Sequence, residues 1–226
     1  MLRVRDLARN GLQPCSFAVG KGECVAVRGA SGAGKTLLMR ALADLDPSQG
    51  EVYVDGVARS FMTGPEWRRK VGYVPAEPGW WSERIADHFP DPDKAVRLAQ
   101  SLGVAAEVFG RLVSEASTGE RLRLALVRAL LTDPAALLLD EPTAALDQAS
   151  TARVEALIAE RLGNGLCVVW TTHDTGQAER MASRILTVEA GVISVERDDS
   201  LVNHTAQATI EVAAKQAEAC DRRERI

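Results

Sequence analysis

Apolar side chains fall along this chain in short blocks whose spacing predicts strands alternating with helices. Near the amino terminus Cys15, Phe17 and Val19 lie on one face at the period of a half-buried strand. The run Glu51-Val52-Tyr53-Val54 leads into Asp55-Gly56 and Val57, which predicts a hairpin closed by a two-residue turn. Between them an apolar strand over 23–28 precedes a glycine-rich loop and a stretch of helical composition over 36–43. Antiparallel strands therefore flank that loop.

From Pro78 to about Ser117 the pattern turns helical, with Pro90 and Pro92 as punctuation and Ala95 to Leu102 as one helix. This predicts a short helical subdomain inserted over about 78–118. Leu122, Ala125, Leu126, Ala129 and Leu130 then share one helix face, stopped by Thr132-Asp133-Pro134. A buried strand over 136–139, a helix over 149–162 and another strand over 166–170 follow. The alternation predicts an α/β fold with a largely parallel sheet whose functional groups gather at the strands' carboxyl ends. Asp140 and His173 both fall just beyond such ends. The domain is expected to span 1–197, leaving a polar tail over 198–226 that reads as a solvated helix or frayed terminus.

Composition narrows the classes of function. A chain of 226 residues with 46% apolar side chains is long enough to bury a sizeable core. Its net charge of -4 gives no bulk attraction to a nucleic acid, so none is expected as a partner. Cys15, Cys24, Cys167 and Cys220 show no metal-ligand spacing and read as reduced thiols of a cytosolic protein. The longest apolar stretches are strand-sized, far below the ~18 to 20 residues that span a bilayer. If the protein drives transport, another chain must supply the pathway.

The chemistry lies in three segments. Gly29-Ala30-Ser31-Gly32-Ala33-Gly34-Lys35-Thr36 matches the P-loop pattern, in which backbone N–H groups curl around phosphate oxygens at a helix start. Lys35 would reach the β- and γ-phosphates, and Thr36 would hold Mg²⁺. The strand Leu137-Leu138-Leu139 delivers Asp140 and Glu141, the first suited to the Mg²⁺ shell and the second to activating a water as general base. His173 follows another apolar strand, where an imidazole can hydrogen-bond a γ-phosphate.

Ser117-Thr118-Gly119-Glu120-Arg121 before an amphipathic helix, then the strand to Glu141, Pro142-Thr143-Ala144-Ala145-Leu146-Asp147 and Thr171-Thr172-His173-Asp174, resembles the nucleotide-binding domain of ABC ATPases. The resemblance covers about 2–192, and the compact size is similar to small stand-alone transporter ATPases, including those linked to iron or metal export. It implies a P-loop core with an antiparallel β subdomain and a short helical subdomain. It also implies ATP and Mg²⁺ as cofactors, ATP hydrolysis, a separate transmembrane permease as partner, and a place on the cytoplasmic face of the cell membrane. Two copies would form a homodimer around two ATP molecules, with Ser117 and Gly119 of one touching the γ-phosphate held by the other. Ser117 with Glu120 also reads as an ordinary capping box, and both readings hold together.

The chain departs from the family pattern at several points. Ala76 stands where the family has a glutamine that contacts Mg²⁺ and water, which predicts slower and less tightly coupled hydrolysis. Thr118 replaces a glycine of the signature and Glu120 a glutamine. No aromatic residue lies over 9–13 to stack on adenine, so GTP use stays open. Trp80 and Trp81 follow the altered loop, in a region that faces the membrane subunit in transporters; they read equally as a partner-binding hot spot and as packing inside the helical subdomain. Two other functions stay in view. One is a soluble ABC ATPase of repair, translation or iron–sulfur assembly; the other is a degenerate module that binds ATP as a regulatory ligand.

Overall fold

The structure is a computed structural model that describes residues Met1–Val195; the predicted polar tail and Cys220 lie outside the described residues. Strands β1 (Leu2–Arg9), β2 (Leu12–Val19), β4 (Gln49–Val54) and β5 (Val57–Ala58) form an antiparallel sheet in the order β2-β1-β4-β5. The β4–β5 turn is the predicted two-residue turn, with φ 47° at Asp55 and 84° at Gly56. The alternation in β1 breaks at Asp6, where the register to β2 shifts and φ is 48°. Gly50 lies against that bulge: a Cβ there would stand 2.2 Å from the Asp6 carbonyl oxygen.

The second sheet carries the site. Its strands are β3 (Cys24–Arg28), β6 (Val71–Val74), β7 (Ala136–Asp140), β8 (Cys167–Thr171), β9 (Arg184–Glu189) and β10 (Val192–Val195), in the order β10-β9-β3-β8-β7-β6. All neighbours are parallel except the terminal hairpin β9–β10. The solid apolar runs are strands buried on both faces, and alternate residues feed different cores. Leu137, Leu139, Val168 and Trp170 pack with helices α3 (Pro92–Ser101), α4 (Thr118–Leu130) and α5 (Gln148–Gly163). Val25, Val27, Leu138 and Val169 pack with α1 (Lys35–Leu42) and the antiparallel sheet.

Helix α2 (Gly64–Lys70) adds one large side chain to that second core. Thr63 and Glu66 close its first turn in a capping box, and Trp67 is fully buried with Nε1 donating to the Leu42 carbonyl at 2.9 Å. The segment 78–118 is less helical than its pattern predicts. It holds α3 and three short 3-10 turns, because Pro90 and Pro92 exclude continuous hydrogen bonding and Gly103, at φ 72°, ends the helix. Ile85, Phe89, Val108 and Phe109 nevertheless join the core shared with α4 and α5. Burial pushes the Cys15 thiol up to about 11 and Cys24 to about 12, so both stay protonated and inert.

Candidate functional site

The glycine-rich loop joins β3 to α1 at the carboxyl edge of the parallel sheet. Gly29 has φ 154° and passes so close to β9 that a Cβ would lie 2.3 Å from the Val188 carbonyl oxygen. Gly34, at φ 115°, opens α1 without a side-chain cap, which leaves first-turn N–H groups free for an anion. Lys35 is 7% exposed, and its ammonium donates to the carbonyls of Gly29 at 2.8 Å and Ala30 at 3.0 Å. The loop is thus curled around its own cation, while Ala30, Ser31 and Gly32 remain exposed.

Asp140, the last residue of β7 rather than a residue beyond it, is 2% exposed and accepts three hydrogen bonds. The donors are Thr36 Oγ1 at 2.8 Å, Thr171 Oγ1 at 2.7 Å and the Tyr73 hydroxyl at 3.3 Å. Burial, together with the Asp140 charge, pushes the Tyr73 phenol up and keeps it a donor. Glu141 adopts φ 49°, a conformation that costs about 1–3 kcal/mol for a residue with a side chain. Its N–H donates to Thr171 Oγ1 at 2.8 Å, so one buried hydroxyl holds both carboxylate residues in place. The Glu141 carboxylate stands 3.5 Å from His173 Nδ1, on the loop after β8. Sequence reasoning did not single out Tyr73 or give Thr171 a role; a hydroxyl at the last or next-to-last position of each neighbouring strand was the available signal.

Lys35, Thr36, Asp140, Glu141 and His173 therefore gather at one edge. Ser117 and Gly119 lie on the start of α4, and among the described residues no hydrogen bond joins them to the P-loop. Ser117 is the N-cap, accepting from Glu120 N–H at 3.2 Å while its own N–H donates to the Glu120 carboxylate at 2.8 Å. Gly119 packs beneath the 145–146 loop, with 3.1 Å between a Cβ position and Leu146 Cδ2. The Thr118 hydroxyl is exposed and accepts from Arg121 at 3.3 Å. Ala76 and Glu77 are exposed on the loop after β6. Arg9 pairs with Asp46, which also takes Arg40 Nε at 2.7 Å. The Arg40 hydrogen bond, with that of Arg9, pulls Asp46 down to about 2.

Fold and site together define a P-loop nucleotide-binding protein. The sequence profile described as ABC transporter matches residues 12–144. A phosphonates import ATP-binding protein of Trichormus variabilis is 34% identical over 215 residues, covering 85% of this chain and 88% of the relative. An aliphatic sulfonates import ATP-binding protein of Paracoccus denitrificans is 37% identical, covering 82% and 74%. A glutamate/aspartate import ATP-binding protein of Escherichia coli is 33% identical, covering 80% and 82%. A dimeric ATP-binding cassette in a post-hydrolysis state, bound to ADP and Pi, superposes with a TM-score of 0.76 at 22% identity, covering 87% of this chain and 98% of that one. The chain belongs to the ABC transporter family. Within it this is an ATP-binding subunit that hydrolyses ATP to power transport. Among the described residues no helix is long and apolar enough to cross a membrane.

Proposed function

We propose that the chain binds Mg²⁺-ATP on its P-loop, hydrolyses it within a homodimer, and drives solute import through a separate membrane-spanning permease. The single observation that carries this reading is the bonded group Thr36–Asp140 beside the close pair Glu141–His173 at the mouth of the loop. Thr36 and Asp140 offer hard oxygens 2.8 Å apart, a donor set that suits Mg²⁺, which takes few protein ligands and keeps several waters. That ion would neutralise phosphate charge when bound. Lys35 and the first-turn N–H groups of α1 hold the phosphates, and Glu141 accepts the proton of the attacking water. His173 orients on the γ-phosphate from the next strand end. Ser117 and Gly119 serve the ATP of the second copy, consistent with the exposure of Ser117 at the start of α4 and with the dimeric neighbour of the same fold. Relatives described as import ATP-binding proteins support the direction of transport, and we assign the subunit to the cytoplasmic face of the membrane. The test is hydrolysis by the purified chain over a Mg²⁺ titration, with sedimentation in the presence of ATP. Turnover that requires Mg²⁺ and an ATP-dependent rise to twice the mass are expected; ATP binding with no turnover, alone and with the permease, sinks the reading in favour of a regulatory module.

Trp80 and Trp81 divide the two readings given to them. Trp80 is partly buried against the helical core, whereas Trp81 is 71% exposed. The Arg128 guanidinium lies 4.9 Å from one ring centre and 4.7 Å from the other, and His88 packs edge-on against both. We assign Trp81 to the permease-facing surface. Trp81→Ala should weaken co-purification with the permease by about tenfold or more at unchanged melting temperature. Trp80→Ala should lower the melting temperature instead, and the reverse pattern would exchange the roles.

A further inference from the structure

Gln177 is buried in α6 (Thr175–Met181), four residues after His173, at 2% exposure. A buried amide needs partners for both its ends. Here Nε2 donates to Glu155 Oε1 at 2.9 Å and to Thr143 Oγ1 at 3.0 Å, and Oε1 lies 3.2 Å from the Thr143 hydroxyl. The backbone N–H of Gln177 donates to Asp174 Oδ1 at 3.1 Å, and Asp174 N–H donates to Thr172 Oγ1 at 3.1 Å. Glu155, on α5, also accepts from Arg180, at 3.0 Å on the same Oε1 and at 3.4 Å on Oε2.

The consequence is topological. Thr143 lies two residues after Glu141, and Asp174 lies one residue after His173. A single side chain therefore ties the loop leaving β7 to the helix that follows the loop leaving β8, with α5 as a third support. The cavity between them, about 200 Å³, is lined by Glu141, His173, Thr143 and Gln177. Among the described residues, neither the Glu141 carboxylate nor the His173 ring is fixed by a hydrogen bond to a buried neighbour. Their separation is set by the loops that carry them.

We propose that Gln177 is a positioning residue for ATP hydrolysis: through Thr143 and Glu155 it fixes the distance between the Glu141 loop and the His173 loop. The inference rests on the hydrolytic reading of this site. Removing the amide should loosen the pair without touching the P-loop, so the effect falls on kcat and not on ATP affinity. Gln177→Glu should act more strongly than Gln177→Met, because it sets a second carboxylate against Glu155 where a donor is needed.

The experiment measures kcat, ATP Kd and melting temperature for Gln177→Met, Gln177→Glu, Thr143→Val and the Gln177→Met/Thr143→Val pair. It adds the exchange Gln177→Glu/Glu155→Gln, which restores one donor and one acceptor. Expected are a roughly tenfold fall in kcat for each conservative single variant with Kd changed less than twofold, a double variant no slower than the slower single, and recovery of at least half of wild-type kcat in the exchange. An unchanged kcat in Gln177→Met with an active wild type overturns the positioning role alone. Additive losses that track melting temperature, with no recovery in the exchange, reduce the network to a structural one. Absence of turnover in the wild type, with permease present, strikes the hydrolytic reading instead.

Discussion

Glu141→Gln is expected to lower kcat by about 10²–10⁴, the range for losing a general base, while ATP binds as before. The substitution keeps the length of the side chain and the φ 49° backbone that Thr171 supports, and removes the carboxylate charge and with it the capacity to take a proton. Lys35, the α1 start and Thr36 are untouched, so affinity for ATP should stay within about twofold. Single-turnover hydrolysis beside equilibrium binding separates the two quantities. If the variant kept more than a tenth of wild-type kcat, another group would have to activate the water.

Trp67→Ala carries the largest expected effect on folding, a loss of about 3–5 kcal/mol. That is a large part of the 5–15 kcal/mol that typically holds a domain folded. The ring is fully buried between α1, the antiparallel sheet and the parallel sheet, and its Nε1 caps the Leu42 carbonyl at the end of α1. Trp67→Phe should cost much less, since most of the ring volume survives and one hydrogen bond of about 1 kcal/mol is lost. Urea unfolding measures both. Equal midpoints for the alanine variant and wild type would mean that α2 contributes no core.

The legible elements were those in which one local signal was strong. The glycine loop with Lys35 and Thr36, the solid apolar runs ending at Asp140 and Thr171, and the Asp55-Gly56 turn each carry their geometry in a few adjacent residues. Helix α2 was not read, because it spans seven residues and buries Trp67 alone, too little for a helical period to show. Strand β1 was not read either: the bulge at Asp6 interrupts the alternation of Leu2, Val4 and Leu7. The hydroxyls of Tyr73 and Thr171 reach Asp140 only because β6, β7 and β8 lie side by side, a pairing that no short stretch encodes. Gln177 escaped notice for the same reason, its partners coming from loops and helices more than twenty residues away.

The order of strands also governs when the nucleotide site can exist during synthesis. β3, which launches the P-loop, has no neighbour from its own half of the chain: Cys24 pairs with Val168 and Val25 with both Val169 and Arg184. A nascent chain that has not yet released β8 and β9 from the ribosome holds β3 with no strand partner on either edge, its backbone hydrogen-bonding groups unpaired on a solidly apolar strand. Such long-range parallel pairing is slow to form and exposes edges to aggregation meanwhile. A fragment ending before Cys167 should therefore accumulate as insoluble protein despite carrying the P-loop, both carboxylates and the whole antiparallel sheet.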